Sequence, residues 1–292
     1  MIEAVTQSQP FVAEVLNDVS RRLKDAGFSE SRLESRLLVA AALGIEPEMT
    51  FVHSERTLNG NEWNRLESLL TRRLKCEPMA YILGEREFWS LSFRAGPGVL
   101  VPRPDSETII DSVLSHVPER NRNWNILDLG TGSGCLLLSL LKEYPASRGT
   151  GVDVSGDALA LAIGNAGDLG LSPRVEFIKE NWCDGLEGPF DIVVCNPPYI
   201  PTAEISDLSP EVSRYEPRLA LDGGEDGLNC YRLLAPMLGK IISREGWAFV
   251  EIGVGQARDV SGLFIKNRLH VIDIMKDIQG IARCVILRKC QD

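Results

Sequence analysis

Histidine is scarce in this chain: three in 292 residues, His53, His116 and His270, far apart in sequence. No pair stands at a metal-ligand spacing, so a structural zinc site is not expected and no metal is assigned. The seven cysteines (Cys76, Cys135, Cys183, Cys195, Cys230, Cys284 and Cys290) contain no C-x-x-C pair. An odd, scattered set argues against a disulfide framework and for reduced thiols in the cytoplasm. No stretch approaches the roughly 18 consecutive apolar residues of a membrane span. Met1 to Pro10 has neither a basic n-region nor an apolar h-region, so no signal peptide is expected. Cations are also short: 31 lysines and arginines face 41 aspartates and glutamates, a net charge of −10. Nucleic-acid binding draws on clustered cations, so direct contact with nucleic acid is not expected, although a local basic groove is compatible with an acidic total. No internal repeat or low-complexity tract occurs.

What is present is a normal globular composition, 44% hydrophobic, long enough for one large domain or a large and a small one. Residues 1 to about 80 read as short amphipathic helices in a small bundle. Pro10 is placed at a first helical position before Phe11, Val12, Val15, Leu16, Val19 and Leu23, and Gly27 ends that stripe. Ser31 with Glu34 fits a capping box ahead of Leu33, Leu37, Leu38, Ala41 and Ala42, which Gly44 closes. Trp63, Leu66, Leu69, Leu70 and Leu74 make a third stripe. From Gly84 to Val101 the pattern reads as two short strands, turning at Gly96-Pro97-Gly98, in a connector between domains.

Beyond about residue 105 strands and helices alternate. Strand-like runs fall at 125–129, 149–153, 175–178, 192–195, 248–252, 270–274 and 284–287, with helical stripes between most of them. Crossover connections of that kind imply a mainly parallel sheet covered on both faces. The short loop at Gln279-Gly280 implies an antiparallel hairpin at the end.

Ile126 to Gly134 reads as a buried strand, a glycine-rich turn and a helix start. Its glycines permit unusual backbone angles and close approach of a ligand. Asp153 ends the next strand, where doubly wound folds place a carboxylate on ribose hydroxyls. The dinucleotide fingerprint G-x-G-x-x-G requires glycine at 135, where Cys135 stands. The G-x-G-x-G spacing instead resembles the S-adenosylmethionine loop of class I methyltransferases.

Asn196-Pro197-Pro198-Tyr199 leaves the carboxyl end of a central strand. Its prolines fix φ and offer no N–H, giving a stiff turn that presents two acceptors, the Asn196 side-chain oxygen and the Pro197 carbonyl. Tyr199 supplies a ring able to stack on a flat group. Two acceptors suit the two hydrogens of a planar –NH2. They hold its nitrogen in line and return electron density to it, so positioning and electrostatics suffice without a strong general base.

Together these residues resemble the HemK/PrmC family, protein-(glutamine-N5) methyltransferases that act on peptide chain release factors. The likeness runs from about residue 80 to the end. It is carried by Glu87-Phe88-Trp89, Pro102-Arg103-Pro104-Asp105-Ser106-Glu107, Asp128 to Gly134, Asn196 to Tyr199, and Tyr215 to Leu221. The Asn-Pro-Pro-Tyr element alone is shared with adenine-N6 methyltransferases; Pro102–Glu107 beside a small helical domain is more specific to the glutamine enzymes. The resemblance implies an α/β class I methyltransferase fold, seven mainly parallel strands with the last antiparallel, preceded by a helical bundle. Residues 1–80 would recognise the substrate, 81–104 form a β-hairpin connector and 105–292 form the catalytic domain.

The resemblance further implies S-adenosylmethionine as cofactor, held by Gly130, Thr131, Gly132, Ser133, Gly134, Asp153, Trp182 and Asn196. The substrate loop would be Asn196, Pro197, Pro198 and Tyr199, with Asn196, Pro197 and Tyr199 catalytic. The methyl acceptor would be the glutamine N5 in the Gly-Gly-Gln loop of a release factor, the enzyme being monomeric and free of membrane contact. A glutamine of a ribosomal protein, or adenine N6 of a nucleic acid, are the alternative targets. Asn181 departs from the family, which often carries aspartate before the tryptophan to accept from the adenine amino group. Three further features take plain readings. Trp89 is a packing aromatic, Glu251 is structural or acts indirectly at the cofactor edge, and Gly223–Gly227 is a turn with Asp226 capping the next helix.

Overall fold

The computed structural model describes residues 10–186 and 188–290. Residues 1–9, the start of the expected N-terminal segment, lie outside the described residues. Two compact units divide the chain between Gly84 and Glu85.

The first unit contains α1 (Val12–Asp25), α2 (Ser31–Leu43), α3 (Met49–Val52), α4 (Gly60–Leu74) and α5 (Met79–Leu83). Val12, Val15, Val19 and Leu23 form the buried stripe of α1 at three- and four-residue spacing and meet Leu38, Leu66 and Leu70 in one core. Helix α1 starts two residues later than expected: Phe11 is its N-cap, so Pro10 precedes the helix. Ser31 and Glu34 do not form a capping box either. Glu34 turns inward and accepts two hydrogen bonds from Arg73 of α4, at 2.7 and 2.8 Å, because a bidentate guanidinium outcompetes a terminal N–H for a buried carboxylate. The capping box of this unit lies at α4, where Asn59 and Glu62 bond each other's backbone N–H groups. Leu33 and Trp63, expected inside, are exposed.

The side chains of Arg73 and Glu34 are 5% and 11% exposed, so neither charge has water to fall back on. Arg73→Ala is expected to destabilise the helical unit by about 3–5 kcal/mol, since it strands a buried carboxylate. Replacing both residues with apolar side chains should cost much less. Urea unfolding of the full chain, read with a probe in this unit, checks both values.

The second unit opens with a hairpin, β1 (Glu85–Phe88) and β2 (Leu91–Arg94). Its turn is Trp89-Ser90, both at positive φ (52° and 57°), and not Gly96-Pro97-Gly98 as the sequence pattern indicates. Residues 99–101 form no strand. The two-residue turn with both φ positive matches the twist of the strands. Non-glycine residues hold it because Glu107 accepts from the Trp89 backbone N–H at 2.9 Å and Glu143 from its indole N–H at 2.8 Å. Trp89 is therefore a packing residue, anchored by its polar edge.

Then follow α6 (Glu107–His116), β3 (Asn125–Leu129), α7 (Cys135–Glu143), β4 (Arg148–Asp153), α8 (Gly156–Asp168), β5 (Val175–Lys179), β6 (Phe190–Cys195), α9 (Pro210–Tyr215), α10 (Asn229–Ile241), β7 (Ile242–Glu251), α11 (Ala257–Lys266), β8 (Leu269–Lys276) and β9 (Ala282–Lys289). The seven strands lie in the order β5-β4-β3-β6-β7-β9-β8, all parallel except β9, which runs antiparallel between β7 and β8. This is the architecture the alternating pattern implied. Strands β3 and β6 are buried on both faces: Ile126, Ile192 and Val194 pack with α6 and α7, while Leu127, Leu129, Val193 and Cys195 pack with α10 and α11. The order reverses at β3, whose neighbours are β4 on one side and β6 on the other. Such a switch point opens a crevice at the carboxyl ends of the strands.

Candidate active site

Register places the chemistry. Leu129 of β3 pairs with Val152 of β4 and Cys195 of β6, and Cys195 pairs with Val250 of β7. Gly130, Asp153, Asn196 and Glu251 therefore arrive side by side at the carboxyl edge, although about 120 residues separate the first from the last. A cavity of about 290 Å³ opens there.

Gly130, Gly132 and Gly134 sit at φ of 71°, 56° and 80°, which explains why glycine recurs at every second position. The Gly130 and Thr131 N–H groups share the Val152 carbonyl, at 2.8 and 2.9 Å. The Thr131 hydroxyl donates to Asp128 at 2.7 Å. Asp153 caps this arrangement: one oxygen accepts from the Gly132 N–H at 2.9 Å, the other from the Ser155 N–H at 2.8 Å. It remains half-buried and lines the cavity.

Of the expected cofactor residues, Gly130, Thr131, Gly132, Ser133, Asp153, Trp182 and Asn196 line the cavity; Gly134 does not. A Cβ on Gly134 would come within 3.1 Å of Leu138 and 3.3 Å of Ala162, so this glycine lets α7 and α8 close on the loop. The Trp182 ring lies against Gly130, where an added Cβ would stand 3.6 Å from it. Asn181 also lines the cavity, at the place where an amide oxygen rather than a carboxylate is offered. Cys135, which breaks the dinucleotide fingerprint, is a half-buried thiol that desolvation pushes up to about 12, so it remains protonated.

In the expected substrate loop, Asn196 and Pro198 line the cavity, while the buried Pro197 and the half-buried Tyr199 do not. The Asn196 side-chain N–H donates to Ser106 Oγ at 3.0 Å, leaving Oδ1 as the acceptor available to a ligand. Tyr199 packs among the apolar residues under α10, and its hydroxyl donates to Glu251 at 3.3 Å. Contacts to its backbone stiffen the loop: the Gln256 side chain donates to the Tyr199 carbonyl at 3.0 Å, the Ile200 N–H donates to the Leu221 carbonyl at 3.0 Å, and the Gly223 N–H donates to the Ile200 carbonyl at 2.8 Å. A Cβ at Gly227 would fall 2.4 Å from the Tyr199 carbonyl oxygen. Gly223–Gly227 is thus a buttress under the Asn-Pro-Pro-Tyr loop. Asp226 is not the N-cap of α10, which is Leu228; it accepts from the Leu228 N–H and pairs with Arg232.

Sequence reasoning did not assign Leu100, Arg103, Ser106, Glu180, Leu219 and Asp222 to the site, yet all line the cavity. Arg103 pairs with Glu216 at 2.5 Å, which joins the stretch Pro102–Glu107 to Tyr215–Leu221 as one wall. The chain motif was visible, but its partner lies 113 residues away.

Two carboxylates behind the edge carry no compensating cation of their own. Burial raises Asp128 from 3.8 to about 7, opposed mainly by the Thr131 hydroxyl, and one of its oxygens has no hydrogen-bond partner among the described residues. Burial likewise raises Glu251 from 4.5 to about 7. A carboxylate raised in the folded state takes up a proton on folding, so its stabilising contribution is complete below the unfolded value and is lost as pH rises to about 7 and beyond. Thermal unfolding should therefore show the wild-type protein losing stability between pH 5 and about 8 relative to Asp128→Asn, which lacks that ionisation.

A doubly wound sheet of this order, with a glycine loop, a carboxylate ending the next strand and an Asn-Pro-Pro-Tyr turn on one cavity, is the site of an S-adenosylmethionine-dependent methyltransferase. Residues 14–84 match the PrmC N-terminal domain and residues 102–209 the methyltransferase small domain. The chain is 42% identical to a release factor glutamine methyltransferase of Rhodospirillum rubrum, over 92% of this chain and 82% of that one. With the enzyme of that description from Bradyrhizobium diazoefficiens it shares 42% identity over 97% of both chains. A methyltransferase from Pyrococcus furiosus shares the fold, with a TM-score of 0.51 and 17% identity over 78% of this chain and 99% of that one. The chain belongs to the release factor glutamine methyltransferase family. Its cofactor is S-adenosylmethionine, and the cavity fits it. A loop of three positive-φ glycines admits close approach, and the Asp153 carboxylate and the Trp182 ring line the cavity beside it.

Proposed function

We propose that this enzyme methylates the N5 of the glutamine in the Gly-Gly-Gln loop of a peptide chain release factor. The observation that carries the reading is the fixed orientation of Asn196: with its N–H engaged by Ser106, its oxygen is the acceptor left for the hydrogens of a substrate amide. Asn196 and the Pro197 carbonyl would each accept one N–H, which aligns the nitrogen and enriches its lone pair. Bound S-adenosylmethionine supplies an activated methyl group on a sulfonium. The histidines are absent from the cavity lining, consistent with a reaction driven by positioning.

Charge favours a protein substrate over a nucleic acid. Among the described residues lining the cavity, the acids are Asp153, Glu180 and Asp222, and the only cation, Arg103, is already paired with Glu216. Phosphates would meet repulsion there. No helix among the described residues is long and apolar enough to cross a membrane. A cytoplasmic enzyme acting on translation factors accords with free cysteines throughout, and a monomer is proposed. Mass spectrometry of purified release factor incubated with the enzyme and labelled S-adenosylmethionine tests the reading. One added methyl on the Gly-Gly-Gln glutamine is expected. Label on a ribosomal protein or on nucleic acid alone would overturn it.

The helical unit is proposed to grip the release factor, since every residue lining the cavity lies at Gly98 or later. Leu33, Met49, Phe51 and Val52 of this unit are exposed apolar side chains of the kind that protein recognition uses. A fragment beginning at Glu85 should bind S-adenosylmethionine with near-full affinity and methylate the intact factor poorly. Full activity of the folded fragment would remove that role.

A further inference from the structure

One hydrogen-bonding need stands unmet behind the Asn-Pro-Pro-Tyr loop, at Glu251, and Ser106 stands beside it. Ser106 is 2% exposed; its oxygen accepts from Asn196, and its own proton requires an acceptor. Glu251 is also 2% exposed; Oε1 accepts from Tyr199, while Oε2 has no hydrogen-bond partner among the described residues. The Ser106 hydroxyl lies close enough to Glu251 to favour its charged form, without reaching full hydrogen-bond geometry to Oε2. Glu251 thus stands behind both ends of the Asn-Pro-Pro-Tyr element, through Ser106 at Asn196 and directly at Tyr199.

We propose that Glu251 and Ser106 are positioning residues that dictate which end of the Asn196 amide faces the substrate. The inference rests on the reading that Asn196 accepts from a substrate amide. An amide side chain is nearly symmetrical in shape, so packing alone does not choose between its oxygen and its nitrogen. Hydrogen-bond polarity does. A carboxylate only accepts, so Ser106 gives it its proton. The Ser106 oxygen then accepts from Asn196 Nδ2, and Oδ1 is turned to the substrate. The donors run one way, from substrate N–H through Asn196 and Ser106 to Glu251.

Protonation reverses the last link. Protonated Glu251 donates, the Ser106 proton is released toward Asn196 Oδ1, and the amide can turn to present Nδ2. That sets a donor against the donors of a substrate –NH2. Burial is the main cause of the raised Glu251 pKa, with Ser106, Arg283 and Tyr199 opposing and Asp105 adding to it. The groups around it hold it near neutrality. Arg283 of β9 is shared with Asp105 at 2.8 Å and Asp277 at 3.0 Å, so it is no dedicated counter-ion. Tyr231 of α10 donates to the Glu251 backbone carbonyl at 3.0 Å, and Cys135, Cys195 and Cys284 are thiols held protonated by burial.

The test is steady-state methylation of release factor from pH 6 to 9, with calorimetric S-adenosylmethionine affinity measured in parallel. Wild-type kcat should be level above about 8 and fall toward tenfold per unit below about 7, with cofactor affinity and KM for the factor little changed. Glu251→Gln keeps the volume but scrambles donor polarity; at pH 8 it should lower kcat roughly 10- to 100-fold and abolish the fall at low pH. Ser106→Ala should lower kcat similarly, and Ser106→Thr, which keeps the hydroxyl, should restore it to within a few-fold. Ser106→Ala removes a single atom and carries the test should Glu251→Gln fail to fold. Wild-type kcat in Ser106→Ala, or an unchanged pH profile in folded Glu251→Gln, overturns the proposal. A wild-type enzyme that leaves release factor unmethylated overturns the underlying reading instead, which the two variants do not affect.

Discussion

Asn196→Ala is expected to lower kcat on release factor by roughly 10²-fold or more, with cofactor affinity and folding stability close to wild type. The loss concerns an acceptor that strengthens its grip as the amide nitrogen donates its lone pair, so it acts on the transition state more than on the bound substrate. Removing one preorganised hydrogen-bonding group at a reacting centre costs about 2.7–4 kcal/mol in comparable cases. Stability should hold because Asn196 is half-buried and the substitution forfeits one neutral side-chain hydrogen bond, to Ser106. Single-turnover methylation and thermal unfolding of the variant provide the check; near-wild-type methylation would reduce the tetrapeptide to a turn. Tyr199 behaves differently. Its ring packs inward and its hydroxyl meets Glu251, so Tyr199→Phe should be mild and Tyr199→Ala should cost stability as well as rate.

Asp153→Ala should weaken S-adenosylmethionine binding by roughly 1.5–3 kcal/mol, about 10- to 150-fold, read by calorimetry. Two contributions add. One is the loss of the charged acceptor proposed for ribose hydroxyls. The other is the release of Gly132 and Ser155, whose N–H groups Asp153 ties together across the carboxyl ends of β3 and β4. Asp153→Asn separates them: its single oxygen and its amide can hold only part of the pattern, so its loss should fall between wild type and alanine. Unchanged affinity in a folded alanine variant would take Asp153 out of the site.

Much of the second unit was legible from local chemistry. The run Asn125–Leu129 is a strand with those bounds because apolar residues on both faces leave no solvated side to set a helical period. The glycines at 130, 132 and 134 were readable because a positive φ is cheap only for glycine. The connector hairpin was misplaced for the converse reason. Its turn uses Trp89 and Ser90 at positive φ, which no local signal announces and which Glu107 and Glu143 enforce from α6 and α7. Glu34 was misread as a cap because Arg73, its partner, stands 39 residues on.

The sequence alone determined the loops that depend on backbone chemistry, glycine where φ must be positive and proline where it must be held, and with them the family of reaction. It also determined the order of strands and helices, since hydrophobic period is a local property. The tertiary structure decided which side chains complete the site and which way they point. Ser106, at the start of α6, reaches Asn196 across 90 residues, and Tyr199 reaches Glu251 across 52, the latter because parallel register brings the ends of β6 and β7 to one edge. Orientation of an amide and ionisation of a buried carboxylate are set by what surrounds them, and no residue states its surroundings in its own name.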